Sequence, residues 1–87
     1  MAESDIHYFY VVECNDGSFY AGYTNCLKKR IKTHNLRKGA KFTRVRLPVK
    51  LIYFEVFQSK SEALQAEYRF KRLKRNQKIE YMKKGFN

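Results

Sequence analysis

Five side chains in this sequence have the types and spacing to do chemistry together: Tyr10, Tyr20, Arg30, His34 and Glu67. A phenol with its ordinary pKa of about 10 is a poor base at neutral pH. A nearby cation favours the phenolate and lowers that value, so Tyr10 or Tyr20 beside Arg30 could activate water, singly or as a pair. Arg30 carries a planar fork that matches an oxyanion with two parallel hydrogen bonds. His34 follows four residues later, and could orient, protonate or simply pack. For Arg30 alone the plain reading is a surface arginine lying along its own stem.

The stretch from Tyr20 to His34 reads as a strand that stops at Gly22 and runs into a helix. Asn25 is a candidate N-cap, and a helix from Cys26 to about Leu36 places Leu27, Ile31 and His34 on one face with Arg30 on its flank. Lys28, Lys29 and Lys32 then face solvent. Upstream, Ile6 to Cys14 is dense in Tyr, Phe and Val, apolar on both faces, and suits a central strand. The turn that follows decides which phenols meet. A two-residue Asp16-Gly17 turn would put Tyr10 and Tyr20 on opposite faces. A three-residue Asn15-Asp16-Gly17 loop with Gly17 left-handed pairs Cys14 with Ser18 and Tyr10 with Gly22. The second register is preferred, because Phe9, Val11, Phe19 and Ala21 then form one core face while Tyr8, Tyr10 and Tyr20 share the other. In that register Gly22 leaves room beside two phenols.

Downstream, Arg37 to Leu47 reads as a basic loop in which Lys41, Arg44 and Arg46 are interleaved with Phe42 and Thr43. Pro48 suits the start of a third strand, from Val49 to Phe57. Ser59-Lys60-Ser61-Glu62 is a capping box opening a helix whose apolar stripe is Ala63, Ala66, Phe70 and Leu73. Glu67 falls inside that stripe. An inward carboxylate needs a cation, a metal or hydrogen bonds to offset its desolvation, and a salt bridge to an arginine would also serve. Lys74 to Lys84 reads as a short basic helix, with Gly85 just past its end.

At 87 residues, residues 1–87 are read as one small domain with its core at about 7–81. Seven Phe and seven Tyr within a hydrophobic content of 44% argue for a packed core. Nineteen Lys and Arg against eight acids leave a formal charge of +11, which calls for a polyanionic partner, most simply nucleic acid. No long apolar run argues for a membrane, and the polar, acidic lead Met-Ala-Glu-Ser-Asp is not a signal peptide. Cys14 and Cys26 lack metal-ligand company and suit free thiols in a reducing cytosol, so a cytoplasmic location is expected; the sequence does not fix the oligomeric state, and a monomer is favoured.

Tyr10, then Tyr20-Ala21-Gly22, then Arg30, His34 and Glu67, in this order, resemble the GIY-YIG endonuclease superfamily, and most closely its small, single-domain bacterial branch. Tyr8-Phe9-Tyr10 stands where GIY would and Tyr20-Ala21-Gly22 where YIG would, over a span from about His7 to Tyr81. The first motif departs at Tyr8 and Phe9, the second at Ala21, and the loop between them is a residue shorter than in many relatives. The resemblance implies an α+β fold with three antiparallel strands flanked by helices, in the order β-β-α-β-α-α. It also implies phosphodiester cleavage, in DNA first and RNA second, with Mg²⁺ or Mn²⁺ held by Glu67. There Arg30 would neutralise phosphate, and the metal would polarise the scissile group and stabilise the departing oxygen. Asn76 is the candidate for a late polar group near the phosphate, alongside Gly22, Lys41, Arg44 and Arg46 as substrate contacts. With no separate recognition domain, structure-selective or weakly specific cleavage is expected. A non-catalytic nucleic-acid-binding module is the alternative, and an adaptor for an acidic protein is a third reading.

Overall fold

The computed structural model describes residues 6–85. The acidic lead, residues 1–5, lies outside the described residues, and with it the reading that this segment is no signal peptide. Three antiparallel strands, β1 (His7–Glu13), β2 (Phe19–Thr24) and β3 (Lys50–Phe57), form a sheet in the order β2-β1-β3. The apolar first strand is therefore central. Helix α1 (Leu27–Asn35) and the short α2 (Lys41–Arg44) separate β2 from β3, and α3 (Lys60–Lys71) and α4 (Arg75–Gly85) follow it. The one addition to the expected order is α2, a single turn within the segment that reads as basic loop.

The three-residue loop sets the register. Gly17 has φ +85°, its N–H donates to the Cys14 carbonyl at 2.9 Å, and Tyr10 pairs with Gly22. The two sheet faces divide as the side-chain period of two demands. Phe9, Val11, Ala21 and Tyr53 pack against Ala66 and Phe70 of α3 and Met82 of α4. Tyr10, Val12, Cys14 and Val49 pack on the other face with Tyr20 and with Leu27 and Ile31 of α1.

Local chemistry closes each element. Ser59 accepts a hydrogen bond from the Glu62 amide at 3.1 Å, capping α3. Asn25 does not cap α1. Cys26 occupies that position without a side-chain cap, and the Thr24 hydroxyl accepts from the Cys26 amide at 3.1 Å. The chain leaves β2 one residue later than the sequence suggests, so the turn belongs to Thr24. Helix α1 ends in a Schellman motif: Arg37 at φ +64° donates to the His34 carbonyl at 3.0 Å and Lys38 to the Thr33 carbonyl at 3.1 Å. The Asn35 side chain then clamps the start of β3, donating to the Val49 carbonyl at 3.1 Å and accepting from its amide at 2.8 Å. Gly85 is the last residue of α4, not the residue beyond it. That helix is tied to β3 where both the Tyr53 and Tyr81 hydroxyls donate to one Glu55 carboxylate oxygen. Burial and that carboxylate push the Tyr81 phenol up to about 12 and the Tyr53 phenol higher still.

Candidate active site

The two motif tyrosines project from the same sheet face, as the preferred register requires, but in different environments. Tyr10 is fully buried, while Tyr20 is half-buried and borders an open cleft. The room left by the missing side chain of Gly22 is taken by Tyr10 itself. A Cβ there would sit 2.5 Å from the Tyr10 hydroxyl oxygen, so glycine lets the phenol lie across β2, an edge strand of the sheet.

A chain of hydrogen bonds starts at that hydroxyl. Arg30 donates from Nε to the Tyr10 oxygen at 3.2 Å. The Tyr10 oxygen lies 2.8 Å from His34 Nε2, and His34 Nδ1 lies 2.9 Å from Thr43 Oγ1. Thr43 in turn donates its single hydroxyl proton to the Ala40 carbonyl at 2.9 Å. Thr43 can therefore only accept from His34, which puts the imidazole proton on Nδ1 and leaves Nε2 as an acceptor. The Tyr10 proton then points at His34, and every bond in the chain runs the same way, an arrangement in which each bond polarises the next.

Burial and the Arg30 charge keep the imidazole of this chain neutral. His34 is 0% exposed, and burial first, then the Arg30 charge, lowers its pKa to about 4. Burial raises the Tyr10 pKa, opposed by the hydrogen bond and charge of Arg30 and supported by Tyr20 and Glu67. Glu67 comes from α3, a helix on the opposite sheet face. Its side chain is 17% exposed and accepts from Lys71 Nζ at 2.6 Å.

So the structure brings Tyr10, Arg30 and His34 together by hydrogen bonds, with Tyr20 against His34 at a ring-centroid distance of 5.6 Å, while Glu67 is linked to this group through Lys71, whose Nζ lies 5.7 Å from the Tyr20 centroid. The remaining sequence candidates divide. Lys41 is exposed on α2. Arg44 donates to the Gly39 carbonyl at 3.3 Å. Arg46 is held by Asp16 at 3.2 Å and by the Phe42 carbonyl at 2.7 Å. Asn76 lies on α4 in a depression shared with Leu73, Gln77, Glu80, Tyr81 and Lys84, which neither motif tyrosine lines. Sequence reasoning misses Thr43, which is 0% exposed inside a run of basic residues, and Gly39, where any side chain would collide with the His34 imidazole. It also misses Lys71, whose position four residues after Glu67 is the standard helical ion-pair spacing and was legible.

Residues 6–80 match the family model described as the GIY-YIG catalytic domain. The chain belongs to the GIY-YIG family. Among its GIY-YIG relatives, a UPF0213 protein of Bacillus cereus is 64% identical over 95% of this chain and 86% of its own length. The UPF0213 protein YazA of Bacillus subtilis is 58% identical over 98% of this chain and 86% of that protein. Two solution structures share the fold. One is a protein of E. faecalis, 46% identical, with a TM-score of 0.67 over 99% of this chain and 92% of that one. The other is a UPF0213 protein of Bacillus halodurans, 47% identical, with a TM-score of 0.57 over 87% of this chain and 81% of that one. Membership of a GIY-YIG family implies nucleic-acid binding and a nuclease-like site in general terms. Among the described residues no helix is long and apolar enough to cross a membrane.

GIY-YIG nucleases generally use divalent metals, and the donor set fits a limited form of that requirement. Among the described residues no three His, Cys, Asp or Glu side chains gather to form a closed metal cage. Glu67 offers a single carboxylate, linked to Tyr20 through Lys71. Such a site suits a hard, hydrated cation that takes one carboxylate and completes its shell with water and phosphate oxygens.

Proposed function

We propose that this protein is a divalent-metal-dependent nuclease that hydrolyses phosphodiester bonds in DNA, or secondarily RNA, with structural rather than sequence selectivity. The observation that carries the reading is the directed chain Arg30–Tyr10–His34–Thr43, which lies against an accessible second phenol, Tyr20, that is linked to Glu67 through Lys71. Tyr20 is the phenol that a water from solvent can reach, so in its deprotonated form it takes the nucleophile's proton and becomes the neutral phenol. Tyr10 is too buried to meet that water. It orients Arg30, accepting from Nε, so that the terminal guanidinium nitrogens face an incoming phosphate. His34 and Thr43 fix the direction in which the Tyr10 proton points. Glu67 would hold Mg²⁺ or Mn²⁺, which when bound supplies charge neutralisation at the phosphate and the leaving oxygen. The formal charge of +11 draws a polyanion to the protein.

A second reading has its own support. Lys71 already neutralises Glu67, and a carboxylate so engaged suits a nucleic-acid-binding module without turnover. Incubation with branched, flapped and single-stranded DNA and RNA in Mg²⁺ or Mn²⁺ separates the two, with Glu67→Gln as control. That substitution keeps the size but removes the charge a hard cation needs. Cleavage should fall by at least about a hundredfold, the range seen when a main transition-state stabiliser is lost. Binding without metal should stay equal or tighten. Undiminished cleavage by the folded Gln variant would remove Glu67 from the site. Absence of cleavage by the parent chain would favour the binding module.

A further inference from the structure

A small cleft of about 140 Å³ opens at the β2 edge, lined by Phe19, Tyr20, Phe42, Phe70, Lys71 and Lys78. These side chains come from β2, α2, α3 and α4, so both sheet faces contribute. Tyr20 is shared with the candidate active site, and Lys71 is the residue on Glu67, so the cleft is continuous with that site. Every aromatic ring lining it carries a cation. Lys71 Nζ lies 5.7 Å from the Tyr20 centroid and Lys78 Nζ 5.6 Å from that of Phe70. Arg75 Cζ lies 4.2 Å from the Phe19 centroid and Arg46 Cζ 3.9 Å from that of Phe42.

We propose that this cleft is a nucleotide subsite, taking one unpaired nucleobase of the strand that enters the active site, with the adjoining phosphate on Lys71 and Lys78. The proposal rests on the nucleic-acid reading above. A phosphate alone would use the cationic rim but has no need of an aromatic floor. A purely apolar ligand would use the floor and leave the rim unsatisfied. A nucleotide uses both, because every base presents a π-face and every backbone unit a charge. The volume admits one ring system and excludes a base pair, so the subsite reads unpaired strand and gives the protein a physical basis for structural selectivity. Phe42 stacks on Tyr20 with ring planes 22° apart and is 39% exposed, so it forms the outer wall, where an entering base would take the place of the Arg46 guanidinium that lies 3.9 Å over the ring.

The test uses the metal-free full chain, a short single-stranded oligothymidylate, a blunt duplex of similar length and inorganic phosphate. Backbone NMR shifts on adding the oligothymidylate should centre on Phe19, Tyr20, Phe42 and Lys78, and inorganic phosphate should reproduce only those near the lysines. Phe42→Ala should weaken the single strand by roughly five- to a hundredfold, the range for losing one stacking side chain. The blunt duplex should be little affected. Lys78→Gln should weaken the single strand and reduce its salt dependence, and melting curves confirm that both variants fold. Shifts centred elsewhere, phosphate reproducing the whole pattern, or equal losses for single strand and duplex would each overturn the subsite. Cleavage measured on the same proteins keeps the two readings apart. Cleavage without cleft shifts overturns the subsite alone, and cleft shifts without cleavage overturn the nuclease alone.

Discussion

Replacing His34 with glutamine should remove a specific acid sensitivity from this fold. The imidazole is 0% exposed, held between Tyr10 and Thr43, and burial with the Arg30 charge lowers its pKa from 6.5 to about 4. An unfolded chain restores the ordinary value. Between those two limits the unfolded state binds a proton that the folded state refuses, so stability must rise with pH across that window. The contribution is complete above 6.5 and is lost progressively as pH falls towards about 4. At about 1.4 kcal/mol per pH unit, the gap amounts to on the order of 3 kcal/mol. Urea unfolding at a series of pH values, for the parent and for His34→Gln, measures it. Subtracting the two curves cancels the carboxylates, including Asp16, whose pKa is lowered by its hydrogen bonds to Ser18. Gln can still accept from Tyr10 and donate to Thr43, so the variant should fold, with a stability difference that shrinks steadily as pH falls. A difference that stays constant from neutral pH downwards would show that His34 is neither buried nor neutral in the folded state, and would remove the directed chain with it.

Three further outcomes test the surroundings of that chain. Thr43→Val should release the His34 tautomer, seen as loss of the Nδ1-protonated pattern in imidazole ¹⁵N spectra, while Thr43→Ser should keep it; an unchanged pattern in the Val variant would deny Thr43 its positioning role. Gly22→Ala should destabilise by roughly 1–3 kcal/mol, because its Cβ displaces a buried phenol rather than a flexible surface chain. A melting temperature equal to the parent's would show that Tyr10 does not lie across β2. Neutralising Lys41, Arg44 and Arg46 together should flatten the dependence of log affinity on log salt by about one unit per lost phosphate contact. Arg46 should contribute least, since Asp16 and the Phe42 carbonyl already hold it, and an unchanged slope would clear this segment of any phosphate contact.

What the sequence determined by itself was whatever depends on near neighbours and on period. The alternation of β1 and β2 and the Asn15-Asp16-Gly17 loop were enough to put Tyr10 opposite Gly22, since a slip of one residue would expose Phe9 and Val11. Helical spacing placed His34 inward beside Arg30, and Ser59 declared the start of α3 by its own hydrogen-bonding chemistry. One error was local as well, because Thr24 and Asn25 are both competent near a helix start, and it is the Thr24 hydroxyl that takes the Cys26 amide. Composition could not disclose Thr43. It stands among Lys41, Phe42, Arg44 and Arg46, a segment that reads as solvated loop, and it is buried only because the Schellman turn at Arg37 brings the chain back over His34 with Gly39 in contact. The cleft beside Tyr20 was equally invisible, for its walls come from four elements that meet only when both sheet faces are covered. The difference in burial between the two phenols was decided at the same level. In sequence Tyr10 and Tyr20 are alike, but the central strand buries one and the edge strand leaves the other open to solvent.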